Sequence, residues 1–239
     1  MPFRAAITRE MGGSWVSALL SDNLLLFAWN LTCLLMLSVA GLFFLICRKH
    51  YQRRQRYRAV TEIDRLLKQM TDPELFNESN VAFHERLRHY YDHNYVDLLY
   101  TWTRQFQKLT AVERDLYCNN SARCGLFDHI SENLNDRDSA KVCISLEVCG
   151  LARMTSFAEQ VMRYSWAPTF APFACHALVR MNFDEGMPCV LRAYGHQLIS
   201  NAELISICTE FSKDELTSWA TQTAHWPLPE VLHKYWVSA

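Results

Sequence analysis

Glycine and proline are scarce, seven of each in 239 residues, and no stretch alternates apolar with polar residues over a useful length. Those two absences exclude an architecture of many short strands joined by tight turns. Charge is missing altogether from residues 24–47. Signatures of chemistry are missing as well. There is no Walker loop and no G-x-G-x-x-G, and the few glycines are isolated, so no backbone loop is offered as a phosphate cradle. There is no H-E-x-x-H and no C-x-x-C, which removes the commonest zinc and dithiol patterns.

What is present is an apolar chain, 50% hydrophobic, with a formal net charge of -1. It is too hydrophobic for disorder and has room for an anchor plus one domain of roughly 180 residues. Nine cysteines, an odd number, lie mostly among apolar neighbours, as at Cys143, Cys149, Cys175, Cys189 and Cys208. They read as reduced core residues in a reducing compartment. The small net charge conceals an asymmetry: basic residues pile up just after the apolar run while acidic ones are spread over the remainder. That pattern suits a membrane surface and not a nucleic acid.

As a helix, residues 24–47 span about 36 Å, enough to cross a hydrocarbon core of about 30 Å with some tilt. A secretory signal has a shorter apolar region, about 7–15 residues, followed by small neutral residues. Here Arg48, Lys49 and His50 follow instead, and a soluble core helix is rarely so uniformly apolar. The run reads as a retained single-pass anchor. Basic residues set its orientation: Arg48, Lys49, Arg53, Arg54, Arg56 and Arg58 follow it, against Arg4 and Arg9 before it. The carboxyl-terminal domain is therefore expected in the cytoplasm and the amino terminus outside, in the inner membrane if the source is bacterial. The same six basic residues can also meet anionic lipid headgroups, at about 1 kcal/mol each. Expected organisation is a tail over 1–23 too small to fold, the transmembrane helix over 24–47, a basic juxtamembrane and linker helix over 48–70, and a cytoplasmic helical-repeat domain over 71–239.

Val60, Ile63, Leu67 and Met70 form one helical stripe, expected to lie on the domain or on a second copy of the chain. Asp72 and Pro73 then fit a cap and a first helical position. Thr110 with Glu113, Ser156 with Glu159, Ser200 with Glu203 and Ser212 with Glu215 each match the S/T-x-x-E capping box. Between these starts run apolar stripes: Leu126 and Ile130; Phe173, Ala177, Leu178 and Met181; Met187, Val190, Leu191 and Tyr194; Leu204, Ile205, Cys208 and Phe211; Leu216, Trp219, Ala220 and Thr223. Helices of about 10–16 residues with short connections predict antiparallel pairs, hence an all-α fold built as an α-solenoid, with a generic helical bundle as the alternative.

A weak internal repeat accompanies these stripes. "LARM" at 151–154 returns as "LVRM" at 178–181, and "VMRY" at 161–164 as "VLRAY" at 190–194, offsets of 27 and 29 residues. With Pro168 and Pro172 placed where a new helix pair would start, residues 138–211 resemble HEAT-type repeats of the short bacterial kind. The resemblance implies a scaffold that binds proteins along a concave face; the catalytic residues of the family's enzymatic branches have no recognisable counterpart here.

Candidate chemistry is thin. His89 and His93, four apart with Asp92 nearby, have a spacing a metal site can use, but Tyr90, Tyr91 and Asn94 around them read as an amphipathic surface helix. Cys118 with Cys124, and Cys143 with Cys149, are too far apart in sequence for zinc or redox pairing. Cys175 and His176 are adjacent, so on a helix their side chains diverge by about 100° and cannot act as nucleophile and base together. No metal, cofactor or catalytic residue is assigned. The expected function is that of a membrane-anchored cytoplasmic adaptor or accessory subunit, not an enzyme, with Tyr91, Trp102, Arg104, Arg180 and Arg192 as exposed partner contacts. The alternatives are a membrane-associated enzyme using His84, Glu85, His89 or His176 for proton transfer, and a regulator of envelope or surface-polysaccharide machinery.

Overall fold

Helix is the only regular structure among the described residues. The computed structural model describes the backbone of residues 3–71 and 81–210, and the side chains within them from residue 26 onward, Ala28 excepted. Asp72, Pro73, the Ser212–Glu215 box, Phe211 and the stripe from Leu216 to Thr223 lie outside the described residues. The chain forms two compact units, Met1–Arg58 and Ala59–Ala239. Its elements are α1 (Phe3–Gln69), α2 (Val81–Phe106), α3 (Ala111–Arg123), α4 (Ile130–Leu134), α5 (Ser139–Leu151), a 3-10 turn at Thr155–Phe157, α6 (Ala158–Tyr164), α7 (Ala171–Arg180), α8 (Gly186–Gly195) and α9 (Asn201–Cys208).

The first unit is helix α1 as far as Arg58. It contains one stretch long and apolar enough to cross a membrane, and every described side chain over residues 26–58 is exposed. The hydroxyl of Ser38, at mid-run, donates to the carbonyl of Leu34 at 2.9 Å, so that polar group needs no outside partner. The helix begins at Phe3 and not near residue 24. After Pro2 no proline interrupts it, and an extending helix adds turns more readily than it nucleates, so Gly12 and Gly13 alone do not stop it.

In the second unit the final turns of α1 are core. Ile63, Leu67 and Met70 are fully buried, Leu66 joins them, and Val60 is half-buried. The stripe thus lies on its own domain. Side-chain hydrogen bonds fasten it there: Asn120 Nδ2 donates to the Met70 carbonyl (2.8 Å), and Gln105 Nε2 donates to the Asp64 carbonyl (2.9 Å) and to its Oδ1 (3.0 Å). Tyr117 Oη donates to Gln105 Oε1 at 3.2 Å, and Trp102 Nε1 donates to Ser121 Oγ at 2.8 Å. Trp102 is accordingly a correction. It is 0% exposed, stacked on Tyr117 and Phe106, and cannot be a surface contact. Helix α2 changes direction at Asn94 (φ -137°, ψ 36°), which shifts the phase of its apolar face.

Helix α7 separates two hydrophobic clusters. Ala174, Ala177, Leu178 and Met181 face the larger one, with α1, α2 and α5; Ala171, Cys175 and Val179 face the smaller one, with α8 and α9. Helices α5 and α7 approach so closely that a Cβ on Gly150 would stand 2.6 Å from the Ala177 Cα. The periodicity misplaces Phe173, which is 41% exposed because it lies between the buried positions Ala171 and Ala174 and on neither of their faces.

Helix ends recur at a nearly fixed interval. Helices α3, α5, α7 and α9 stop at Arg123, Leu151, Arg180 and Cys208, successive steps of 28, 29 and 28 residues. After α3, α5 and α7 the chain turns in the same way: Gly125, Arg153 and Asn182 take positive φ, and the next residue's amide reaches back to close the helix, Leu126 to Ser121, Met154 to Cys149 and Phe183 to Leu178. Gln197 and Leu198 repeat the turn after α8. Arg153–Met154 therefore corresponds to Asn182–Phe183, and the 27-residue match of "LARM" to "LVRM" is two residues out of register, whereas the 29-residue match agrees with the helix ends. Of the capping boxes, Ser200 with Glu203 closes in both directions, and Glu113 accepts from the Thr110 amide at 2.8 Å and from its hydroxyl at 2.7 Å. Ser156 caps nothing, since the 3-10 turn occupies its position and Phe157 precedes α6.

Candidate functional site: an arginine-lined groove

The repeated helix ends bring backbone and polar side chains to one open groove of about 910 Å³. Helix α3 supplies Ala111, Arg114, Asp115, Cys118 and Asn119; the end of α5 supplies Gly150 to Arg153; the end of α7 supplies Val179, Arg180 and Asn182; Phe106 and Glu210 complete it. It lies wholly in the second unit.

Most of its charges are already engaged. Arg180 makes a two-pronged pair with Glu210, Nε to Oε2 at 2.8 Å and Nη2 to Oε1 at 2.7 Å, and His176 Nδ1 lies 2.8 Å from the same Oε1. Burial pushes the Glu210 carboxyl up, but the hydrogen bonds from His176 and Arg180, with the guanidinium charge, bring it below the usual glutamate range. Glu147 is the contrasting acid. Burial raises it above that range, and the nearby charges of Arg180 and His176 offset only part of the shift. Arg114 donates from Nε to the Phe106 carbonyl (3.2 Å) and from Nη2 to that of Gln107 (3.4 Å), with its guanidinium over the Phe106 ring. Arg153 is exposed, and its guanidinium has no ion-pair or hydrogen-bond partner among the described residues.

Of the five expected contacts, only Arg180 is in the groove. Tyr91 is half-buried; it accepts from Asn133 Nδ2 at 3.2 Å and packs edge-on against Tyr95. Arg104 is exposed on α2, and Arg192 on α8 donates to the Pro188 carbonyl and sits 6.0 Å from the Trp166 ring centroid. Tyr91, Trp102, Arg104 and Arg192 do not line the groove. Nor are the candidate proton-transfer residues brought together: His84, Glu85 and His89 belong to α2, whereas His176 belongs to α7. His89 stacks on His93 (4.6 Å), whose Nδ1 lies 2.9 Å from the His89 carbonyl. Among the described residues no group of three His, Cys, Asp or Glu is disposed to hold a metal ion. All nine cysteines are unpaired; burial lifts Cys118 in the groove to about 11 and Cys175 to about 12, which leaves both as thiols at neutral pH.

Arg114, Asn119, Arg153 and Asn182 are groove residues that periodicity does not single out. For Arg153 and Asn182 the available signal is the apolar residue that follows, Met154 and Phe183, which marks the residue before it as the turn; Arg114 and Asn119, inside α3, carry no such signal. No protein-family model matches this sequence. None of the curated proteins matches it, and none of the solved structures does.

Proposed function

We propose that this protein is a membrane-anchored adaptor, whose repeated helix pairs form a HEAT-like solenoid and whose groove docks a protein partner. Helix α1 serves as the single-pass anchor, with the amino terminus outside and the domain in the cytoplasm, the orientation favoured by Arg48, Lys49, Arg53, Arg54, Arg56 and Arg58. Those six residues also contact anionic headgroups. The mechanism is proximity: confinement to the membrane raises the effective concentration of the domain toward partners held in the same plane.

One observation carries the reading. The groove is open and polar, Arg180 and Glu210 are tied to each other and Arg114 to carbonyls, and among the described residues it presents donors to a ligand but no nucleophile and base in contact. The test is retention of a partner from solubilised membranes by the full chain, compared with Asn119→Trp, which fills the groove from an exposed position on α3. The variant is expected to lose a partner that the wild type retains; equal retention by both overturns the groove as the docking site.

A second reading, an enzyme with its site between helices, draws on the convergence of Glu147, His176, Arg180 and Glu210. It predicts turnover of a substrate that His176→Gln abolishes while partner retention is unchanged.

A further inference from the structure

Two histidines of α2 stand one helical turn apart on its open side. His89 and His93 are both exposed, on the face opposite the buried Phe83 and Leu87, and their ring centres lie 4.6 Å apart with the planes inclined by 29°. Exposed imidazoles on an amphipathic helix call for nothing by themselves. Here, however, His93 Nδ1 also lies 2.9 Å from the His89 carbonyl, and because that oxygen can only accept, Nδ1 carries the proton of the bond. In the neutral ring the lone pair is then on Nε2.

A ring with Nδ1–H on a backbone carbonyl and its lone pair on Nε2 is the form in which histidine ligates a metal, with tautomer and ring direction both fixed. The spacing agrees with it. Side chains four apart on a helix lie over one another, about 5–6 Å between Cβ atoms. Two Zn–N bonds of about 2.0–2.1 Å at a tetrahedral angle put their nitrogens about 3.3 Å apart. Rings whose centres are already 4.6 Å apart reach that separation by side-chain rotation, with no change in the backbone. The sequence neighbours narrow the class of ion. Glu85 and Asp92 are offset by Arg86 and Arg88, so charge gives the pair no general attraction for cations. Selection falls to imidazole nitrogen, which suits Zn²⁺, Ni²⁺ and Cu²⁺, whereas Mg²⁺ and Ca²⁺ take oxygen.

We infer that His89 and His93 form a two-imidazole chelate for a divalent transition-metal ion of the zinc class, with water completing the coordination. Two ligands do not close a structural site, so loading is reversible. The ion clips together the last turn of α2 before its bend at Asn94. Because the two rings meet only while residues 89–93 are helical, the ion favours the folded form of that turn.

The full chain, carrying no histidine tag and held in nanodiscs of neutral lipid, is titrated with Zn²⁺ by calorimetry and with Co²⁺ by absorption spectroscopy. Wild type is expected to bind Zn²⁺ at least about tenfold tighter than His89→Ala or His93→Ala, because losing either ring loses the chelate. Without metal, both variants are expected to melt where wild type does. His129→Ala, which removes an exposed histidine outside α2, is expected to bind as wild type does. Saturating Zn²⁺ is expected to raise the melting temperature of wild type by at least about 2 °C and to leave the double variant unchanged, while Mg²⁺ shifts neither. The nine unpaired cysteines are the competing ligands, and Co²⁺ separates them from imidazole, since a bound thiolate adds a strong near-ultraviolet charge-transfer band. Equal Zn²⁺ affinity in wild type and the double variant, an equal loss in His129→Ala, a Co²⁺ thiolate band that disappears with His89 and His93, or tight binding of Mg²⁺ would each overturn the assignment.

Discussion

Helix α1 uses apolar residues in two opposite ways along one continuous backbone. Over residues 26–58 leucine, phenylalanine and isoleucine are spread around the whole circumference and all are exposed. From Ala59 onward the apolar residues fall on one side, and Ile63, Leu66, Leu67 and Met70 are buried. The polar groups differ to match. Upstream, Ser38 satisfies itself within the helix; downstream, Asp64 and the Met70 carbonyl are hydrogen-bonded by Gln105 and Asn120 from α2 and α3. A uniform apolar surface suits a solvent that is itself apolar on all sides, whereas a stripe suits one packed neighbour and water elsewhere. Disrupting each region separately should therefore disturb one property and spare the other.

The largest effect belongs to the upstream region. Leu35→Arg with Leu42→Arg places two charges at mid-span, each about 2.5–3.5 kcal/mol unfavourable there. The double variant is expected to leave the membrane fraction under alkaline extraction while the thermal unfolding of the domain stays put. Retention in the membrane would mean that α1 is not the anchor. Next is Leu67→Ala, which removes a fully buried side chain and is expected to destabilise the domain by about 2–5 kcal/mol without changing membrane attachment. A variant as stable as wild type by calorimetry would show that the downstream stripe is not core.

Legibility in the sequence follows the same division. The apolar run and the stripe could be read because composition and a 3.6-residue period carry the whole signal. Trp102 could not be placed that way: the kink at Asn94 breaks the phase of α2, so an aromatic in "YTWTRQF" falls on either face according to where counting starts. The groove was less legible still. Its turns are written with arginine and asparagine, not glycine, and the pairing of His176 and Arg180 with Glu210 spans 34 and 30 residues, beyond the reach of any local pattern. The repeat was half legible, since "VMRY" and "VLRAY" sit at the interval of the helix ends while "LARM" and "LVRM" are offset by two.

A smaller effect sharpens the downstream half. Asn120→Ala leaves the Met70 carbonyl without its buried donor and is expected to destabilise the domain by about 1–3 kcal/mol, with α1 fraying at its end in hydrogen exchange. Unchanged protection around residues 63–70 would show that the tie is incidental.

The smallest effect is the titration of a carboxylate, a group that residues 24–58 lack. Asp64 accepts from Lys68 Nζ at 2.8 Å and from Gln105. The Lys68 hydrogen bond, helped by Gln105 and the Lys68 and Arg104 charges, holds its carboxyl below the usual aspartate range despite partial burial. A lowered folded value means that the stabilisation is complete above the unfolded aspartate pKa of about 3.9 and vanishes as pH falls through the folded value. Because Lys68 is 68% exposed, solvent screens the pair, and the expected contribution is about 0.3–0.5 kcal/mol. Asp64→Asn should flatten the acid limb of domain stability by that amount in denaturant titrations between about pH 5 and 2, while the membrane fraction stays constant throughout. An unaltered acid limb would assign the downstream half's hold on α1 to its buried stripe alone.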